Sequence, residues 1–179
     1  MHRDIKKILV DEKAIDQRCK ELGQQITDDY KSIGKVPVLV ALLKGSVPFL
    51  AKLIPYIDLD IEFDFMDVSS YDGTESVGDV KINKDLDRSI KGDYILLVED
   101  IVDTGRTLKE VTSLLRNKGA ADVRIVSLLD KPSRRLIEVI PEYVGFEIPN
   151  EFVVGFGLDF NQKYRNLRYI GVLKDECYK

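Results

Sequence analysis

A strand-like run, an acidic loop and a helical pattern follow one another near the middle of this 179-residue chain, and this order constrains the fold more than any other feature. Tyr94–Val98 is apolar and contains β-branched residues, which is typical of a short strand. Two carboxylates, Glu99 and Asp100, end the run, and a turn with Gly105 leads into a helical pattern at Thr107–Lys118. Ligands of open α/β sheets bind just beyond the carboxyl ends of strands, so this loop is the first candidate for a binding site.

Further apolar runs extend the pattern to a sheet. Gly119 ends the predicted helix, and Val123–Leu129 is predicted as the next strand, so the two strands are parallel and joined by a right-handed crossover. Val36–Leu43 is a continuous apolar run, as in a strand buried on both faces, and helix Val47–Leu53 follows it. Residues 61–68 alternate and predict a strand with one wet face or an edge position. We expect an α/β fold with a mostly parallel, twisted sheet flanked by helices.

The amino-terminal part is predicted to be structural. Apolar residues recur every three or four positions from Asp11 to Tyr30, with Asp11 placed as N-cap, so this is an amphipathic helix. His2 is the only histidine and lies in a segment expected to fray, which leaves little material for a histidine-based triad or metal site.

Composition narrows the class of protein. A length of 179 residues with 44% hydrophobic residues predicts one domain over residues 1–179. The net charge of −4 argues against a surface built for nucleic acid. No apolar run resembles a signal peptide or a membrane span, and the two cysteines, Cys19 and Cys177, predict no disulfide framework and fit a reducing cytoplasm.

The chemistry of the central loop fits a phosphorylated sugar. Backbone N–H groups, hydroxyls, a guanidinium and the helix dipole meet where the helix begins, at Thr104, Gly105, Arg106 and Thr107. Glu99 and Asp100 are acceptors suited to a ribose diol, directly or through Mg²⁺, and Asp103 is placed to act as a base. The plain alternative is an ordinary turn with solvated acids. The loop is neither a Walker loop nor a Gly-x-Gly-x-x-Gly turn.

The segment Val98–Thr107 resembles the phosphoribosyl pyrophosphate (PRPP) motif of type I phosphoribosyltransferases. Its sequence is most similar to that of the hypoxanthine-guanine members of bacterial type. Supporting motifs run from Val36 to Leu173, and Arg106 stands where some relatives carry lysine. The resemblance implies the type I fold with a small, irregular, β-containing purine hood, built from about residues 143–179 and amino-terminal residues. It also implies a purine salvage enzyme that moves the 5-phosphoribosyl group from PRPP to N9 of hypoxanthine or guanine.

Residue roles are implied by the same resemblance. Ribose and 5-phosphate binding falls to Glu99, Asp100, Asp103, Thr104, Gly105, Arg106 and Thr107, with Asp103 as catalytic base. Pyrophosphate binding falls to Lys44, Gly45 and Arg165, the purine to Lys131, Phe152 and Val153, the lid to Ser70 and Tyr71, and Mg²⁺ to Glu99, Asp100 and Asp159. The partners implied are small-molecule substrates and further copies of the chain, in a cytoplasmic dimer or tetramer, with no nucleic acid or membrane.

Three alternatives remain at this point. The acceptor base could be xanthine or adenine; Lys131 argues against adenine, because an ammonium only donates and the 6-amino group of adenine also donates. The chain could be a PRPP-sensing regulator that binds nucleic acid, which its acidic balance disfavours. It could also be an α/β protein without catalytic activity, but this would not explain why several separate segments all resemble parts of one active site. From the pattern alone, Phe152 would be a buried core residue.

Overall fold

A computed structural model describes residues 1–70 and 80–178, except for the side chain of Ser70. The strands are β1 (Ile5–Val10), β2 (Pro37–Leu42), β3 (Glu62–Ser70), β4 (Val80–Lys84), β5 (Tyr94–Val102), β6 (Asp122–Asp130), β7 (Tyr143–Glu147), β8 (Val153–Val154) and β9 (Ile170–Leu173). The α-helices are α1 (Glu12–Ser32), α2 (Val47–Leu53) and α3 (Arg106–Asn117).

The large sheet has the order β4-β3-β2-β5-β6-β7. All neighbours are parallel except β3 and β4, which are antiparallel. The predicted α/β class and mostly parallel sheet are therefore confirmed. Strand β4 pairs with β3 only at Asp67–Ser70. Among the described strands, residues 62–66 therefore have no partner on that side, so this part of β3 keeps the edge position that was one of the two predictions.

Alternating side chains bury both faces of this sheet. Leu39 and Leu96 pack with α1 and α2 on one face. Val38 and Ile95, the residues before them, pack with α3 on the other face. Successive side chains of a strand point to opposite faces, so continuous apolar strands are required here. The sheet thereby becomes a rigid support for the loops that follow its strands.

Helix α1 forms as its periodicity predicts. Its buried residues lie at intervals of three and four and include Ile15, Cys19, Leu22 and Ile26. The Asp11 carboxylate accepts a hydrogen bond from the Ala14 N–H at 2.8 Å and caps the first turn.

A second, antiparallel sheet has the order β1-β9-β8. The expectation of a frayed amino terminus is wrong, because Ile5–Val10 pairs with Ile170–Leu173. The His2 backbone N–H also donates to the Tyr169 hydroxyl at 2.8 Å. The two ends of the chain therefore meet in one small sheet, formed by segments that the sequence analysis assigned to the hood.

Two element boundaries differ from the sequence expectation. Strand β5 continues to Val102, because Ile101 and Val102 pair with Leu129 and Asp130 of β6, so Glu99 and Asp100 lie in the strand and not in a loop. Strand β7 pairs with β6 in the large sheet, so residues 143–147 lie outside the small sheet.

Candidate active site

Three neighbouring strands end at the same edge of the large sheet. Lys44 and Gly45 follow β2, Asp103 follows β5, and Lys131 follows β6. Because these strands are parallel and adjacent, their carboxyl ends form one rim, which is where open α/β sheets place their ligands. Residues far apart in the sequence are thus brought together.

The loop before α3 is shaped for close approach to a ligand. Gly105 is the N-cap of α3 with φ +83°, and no side chain caps this helix end. A Cβ at this position would lie 2.6 Å from the Ile137 carbonyl oxygen, so the loop fits only glycine. Arg106 and Thr107 are exposed in the first turn, beside the positive end of the helix dipole.

The segment after Lys131 holds this loop in place. The backbone N–H groups of Leu136 and Ile137 both donate to the Thr104 carbonyl oxygen, at 3.0 and 3.1 Å. The Thr104 hydroxyl lies 3.4 Å from the Arg106 N–H. The turn before α3 is therefore fixed by tertiary contacts and not by a side-chain cap.

Glu99 and Asp100 form a coupled carboxyl pair. Burial raises the pKa of Glu99 well above its ordinary value of 4.5, and the adjacent Asp100 carboxylate adds to the shift. Burial also raises the pKa of Asp100, against the opposing effects of a Glu99 hydrogen bond and the Arg165 charge. The Glu99 Oε2 atom is buried and has no hydrogen-bond partner among the described residues. A buried unpaired oxygen is costly, so the pair fits a cation or donor better than an empty pocket.

The loop after β2 touches this pair. A Cβ on Gly45 would collide with the Asp100 carboxylate, and a Cβ on Gly157 would collide with the Gly45 carbonyl oxygen. The peptide between Leu43 and Lys44 is cis. Glycine fits both positions because the Asp100 side chain lies directly against Gly45 and the Gly45 backbone lies directly against Gly157.

Arg165 is fixed on the far side of the Gly45 loop. Its guanidinium donates to the Gly157 carbonyl oxygen at 2.7 Å and pairs with the Asp159 carboxylate at 2.9 Å. Asp159 also accepts from the Gln162 N–H at 2.8 Å. Within residues 1–70 and 80–178 no group of three or more His, Cys, Asp or Glu side chains is arranged to hold a metal ion, so Asp159 does not join Glu99 and Asp100 in a cluster.

Lys131 and Asp103 line a common cavity of about 400 Å³. Lys131 is only 8% exposed, and its ammonium donates to the Glu151 carbonyl oxygen at 2.7 Å. Burial lowers the pKa of Lys131, while the Asp103 charge opposes that shift. The Lys131 ammonium, which only donates, and the Asp103 carboxylate, which only accepts, therefore line the same cavity. This arrangement suits a ligand that has a hydrogen-bond acceptor for Lys131 and a proton that Asp103 can take up.

Aromatic and apolar residues complete the cavity, with Phe152 and Val153 among them. Phe152 is 36% exposed, so the expectation of a buried core residue from pattern alone is wrong, while Val153 is buried in β8. Ser70 ends β3, and Tyr71 lies outside the described residues.

Six of the ten described residues that line the cavity had no role assigned from the sequence, namely Ile101, Arg134, Asn150, Glu151, Leu158 and Tyr178. Arg134 donates to the Asp103 carboxylate at 3.1 Å. Its only sequence signal is a basic pair, Arg134 and Arg135, just after the predicted strand-end lysine. Tyr178 gives no local signal, since its place depends on the chain ends meeting.

Known proteins are similar to this chain over nearly its whole length. The phosphoribosyl transferase domain family matches residues 6–161. The hypoxanthine-guanine phosphoribosyltransferase of Lactococcus lactis is 55% identical over 179 residues, covering 99% of this chain and 96% of the relative. A crystal structure of a hypoxanthine phosphoribosyltransferase from Staphylococcus aureus superposes with a TM-score of 0.94 at 52% identity, covering 100% of this chain and 97% of the other.

A second solved structure is similar over nearly the same length. It is a hypoxanthine-guanine phosphoribosyltransferase from Bacillus anthracis, with a TM-score of 0.89 at 42% identity, covering 96% of this chain and 98% of that one. Among the residues that the structure describes, no helix has the length and apolar character needed to cross a membrane.

Proposed function

Since the chain belongs to the phosphoribosyltransferase family, we propose that this site transfers the 5-phosphoribosyl group from PRPP to N9 of hypoxanthine or guanine and releases pyrophosphate. The chain is a purine salvage transferase of the type I fold. The observation that carries the specific proposal is the meeting of an anion-binding turn, an acidic pair and a donor-lined cavity at one rim of the sheet. The turn suits the 5-phosphate, the acidic pair suits the ribose, and the cavity suits the purine.

The 5-phosphate binds at Thr104, Gly105, Arg106 and Thr107. The uncapped start of α3 offers backbone N–H groups, and Gly105 lets a phosphate oxygen come close to them. Arg106 is exposed beside this turn and adds a planar, multidentate donor. Binding here places the ribose over Glu99 and Asp100, at the end of the same strand.

Pyrophosphate binds at Lys44, Gly45 and Arg165. The lack of a side chain at Gly45 lets the loop lie against Asp100, so the pyrophosphate and ribose positions are adjacent. The Arg165 guanidinium is held by Gly157 and Asp159 and carries fixed positive charge for the leaving group.

Mg²⁺ is the proposed cofactor. Two adjacent carboxylates, one with an unpartnered oxygen, fit this ion, because it is usually held by one or two carboxylates together with substrate oxygens and water. Glu99 and Asp100 would hold it on the ribose side, and Asp159 would serve on the pyrophosphate side. When bound, the ion neutralises charge on the leaving pyrophosphate.

The purine occupies the cavity that Lys131 lines. Lys131 donates to the 6-oxo group, and Phe152 stacks on the ring while the Val153 backbone contacts the purine edge. Asp103 accepts the ring proton as N9 bonds to the ribose carbon, and Arg134 holds the Asp103 carboxylate in position. Positive charge that develops on the ribose is stabilised by the Glu99 and Asp100 carboxyl pair.

The remaining parts of the proposal rest on the family. Residues 1–179 form one domain, with Ser70 and Tyr71 in a lid that closes over the site and excludes water. The working enzyme is a cytoplasmic homo-oligomer, a dimer or a tetramer, whose other partners are its small-molecule substrates.

The test is pyrophosphate release from PRPP with hypoxanthine, guanine, xanthine or adenine supplied separately, with and without Mg²⁺. We expect turnover with hypoxanthine and guanine, little with adenine, and none after chelation. A parallel reaction without any base controls for hydrolysis of PRPP. If PRPP binds but no base is turned over, the proposed transferase activity is wrong, and the alternative of a PRPP-sensing regulator is favoured.

A further inference from the structure

The last described residue of the chain lies beside the purine cavity. The Tyr178 ring stacks on the Phe152 ring, with centroids 4.7 Å apart and planes 20° from parallel. Both rings line the cavity that also contains Lys131 and Asp103. The Phe160 ring meets Phe152 edge-on at 5.6 Å, so Phe152 is held by two aromatic contacts of different geometry.

The spacing of the stacked rings decides which face of Phe152 is free. A purine inserted between two rings needs about 7 Å, because each contact takes about 3.5 Å. The centroids of Phe152 and Tyr178 are only 4.7 Å apart, so no base fits between them. A base that stacks on Phe152 must therefore use the face opposite to Tyr178, and Tyr178 supports the ring from behind.

The same carboxyl-terminal segment fixes both the backbone and the ring of Phe152. The Leu173 N–H donates to the Phe152 carbonyl oxygen at 2.9 Å. Five residues later, the Tyr178 hydroxyl donates to the Asp175 carboxylate at 3.1 Å, which fixes the orientation of the tyrosine ring. The end of the chain is thus tied to the wall of the cavity.

We propose that Tyr178 is a positioning residue for the purine, which holds the plane of Phe152 so that the base can stack on the face opposite to Tyr178. This inference rests on the proposed function, because it assigns the occupant of the cavity as a purine. It predicts that the aromatic ring of Tyr178 sets the affinity for the base and has no part in the affinity for PRPP.

The test compares Tyr178→Ala and Tyr178→Phe with the parent enzyme. For Tyr178→Ala we expect the KM for guanine to rise by about 2- to 10-fold, the change that an aromatic pair supports, with the KM for PRPP unchanged. Tyr178→Phe keeps the stacked ring and loses the hydroxyl bond to Asp175, so its KM for guanine should stay closer to the parent value than that of Tyr178→Ala. The matched control is Phe63→Ala, which removes an exposed ring that also pairs with a phenylalanine. Phe63 lies near the start of β3, at the opposite end of the parallel strands from the rim, and does not line the cavity.

Binding measurements separate positioning from a general loss of structure. Tyr178→Ala should bind guanosine monophosphate more weakly and ribose 5-phosphate, which lacks the base, as well as the parent does. An unchanged or lower KM for guanine, or equal weakening of both ligands, would overturn the proposal. If the parent enzyme itself turns over no 6-oxopurine, the proposed function has failed instead.

Discussion

Replacing Lys131 with methionine tests how the site reads the purine. Methionine keeps an unbranched side chain of similar length in this 8% exposed position and removes the donor. The ammonium uses one N–H on the Glu151 carbonyl oxygen at 2.7 Å, which leaves donors for the 6-oxo group. A hydrogen bond from a charged group contributes about 1.5–3 kcal/mol, so kcat/KM for hypoxanthine should fall by about 10- to 150-fold.

The assay is initial-rate nucleotide formation with varied hypoxanthine or adenine at saturating PRPP. The preference for hypoxanthine over adenine should shrink, because the variant no longer presents a donor against the 6-amino group. The KM for PRPP should stay unchanged. Lys91→Met serves as control, since Lys91 is exposed in the turn before β5, at the opposite end of the strand from the site. A kcat/KM for hypoxanthine within about 2-fold of the parent would refute the assignment of Lys131 as purine reader.

Four further predictions follow from the site and core. Asp103→Asn should bind PRPP normally while kcat falls by about 10²- to 10⁴-fold, and full activity in initial-rate assays would exclude a base role. Gly45→Ala forces a Cβ into the Asp100 carboxylate, so PRPP binding measured by calorimetry should weaken by about 10-fold or more; unchanged affinity would contradict the tight contact. Burial raises the pKa of Glu99 above 4.5, so above that pH the folded state keeps a proton that the unfolded state releases, and the free energy of unfolding falls as pH rises. Glu99→Gln lacks this penalty and should melt at a higher temperature than the parent at pH 7 in a chelator, with the difference vanishing near pH 4; a lower melting temperature at pH 7 would count against it. Burial raises the pKa of Cys19 to about 12, so a thiol reagent at pH 8 should label only the other cysteine until the protein unfolds, and rapid labelling of both in the native protein would contradict the packing.

Local patterns predicted the large sheet well. The run at Val36–Leu43 and the spacing of the central strand, helix and strand were sufficient, because a parallel sheet needs apolar strands buried on both faces. The pattern did not predict β1, which contains three consecutive exposed residues, Lys6, Lys7 and Ile8. That strand forms because it pairs with β9 at the other end of the chain, which no local signal reveals.

The candidate site was predicted in unequal parts. The chemistry of residues 99–107 follows from residue types and spacing, whereas Phe152 and Arg165 were singled out only by resemblance to a family. Arg134 and Tyr178 were missed because their roles depend on contacts made in three dimensions, with Asp103 and Phe152 respectively. The position of Glu99 within the strand, with its Oε2 atom buried, was also missed, since the strand continues past it to Val102.

The most direct test of the central claim is the identity of the nucleotide formed in competition. The enzyme is mixed with PRPP, Mg²⁺ and equal concentrations of hypoxanthine, guanine and adenine, and the products are separated by chromatography and identified by mass. Inosine and guanosine monophosphates should form, with little adenosine monophosphate. A product mixture dominated by adenosine monophosphate would contradict the reading of the purine by Lys131, and the absence of any nucleotide would contradict the proposed transfer itself.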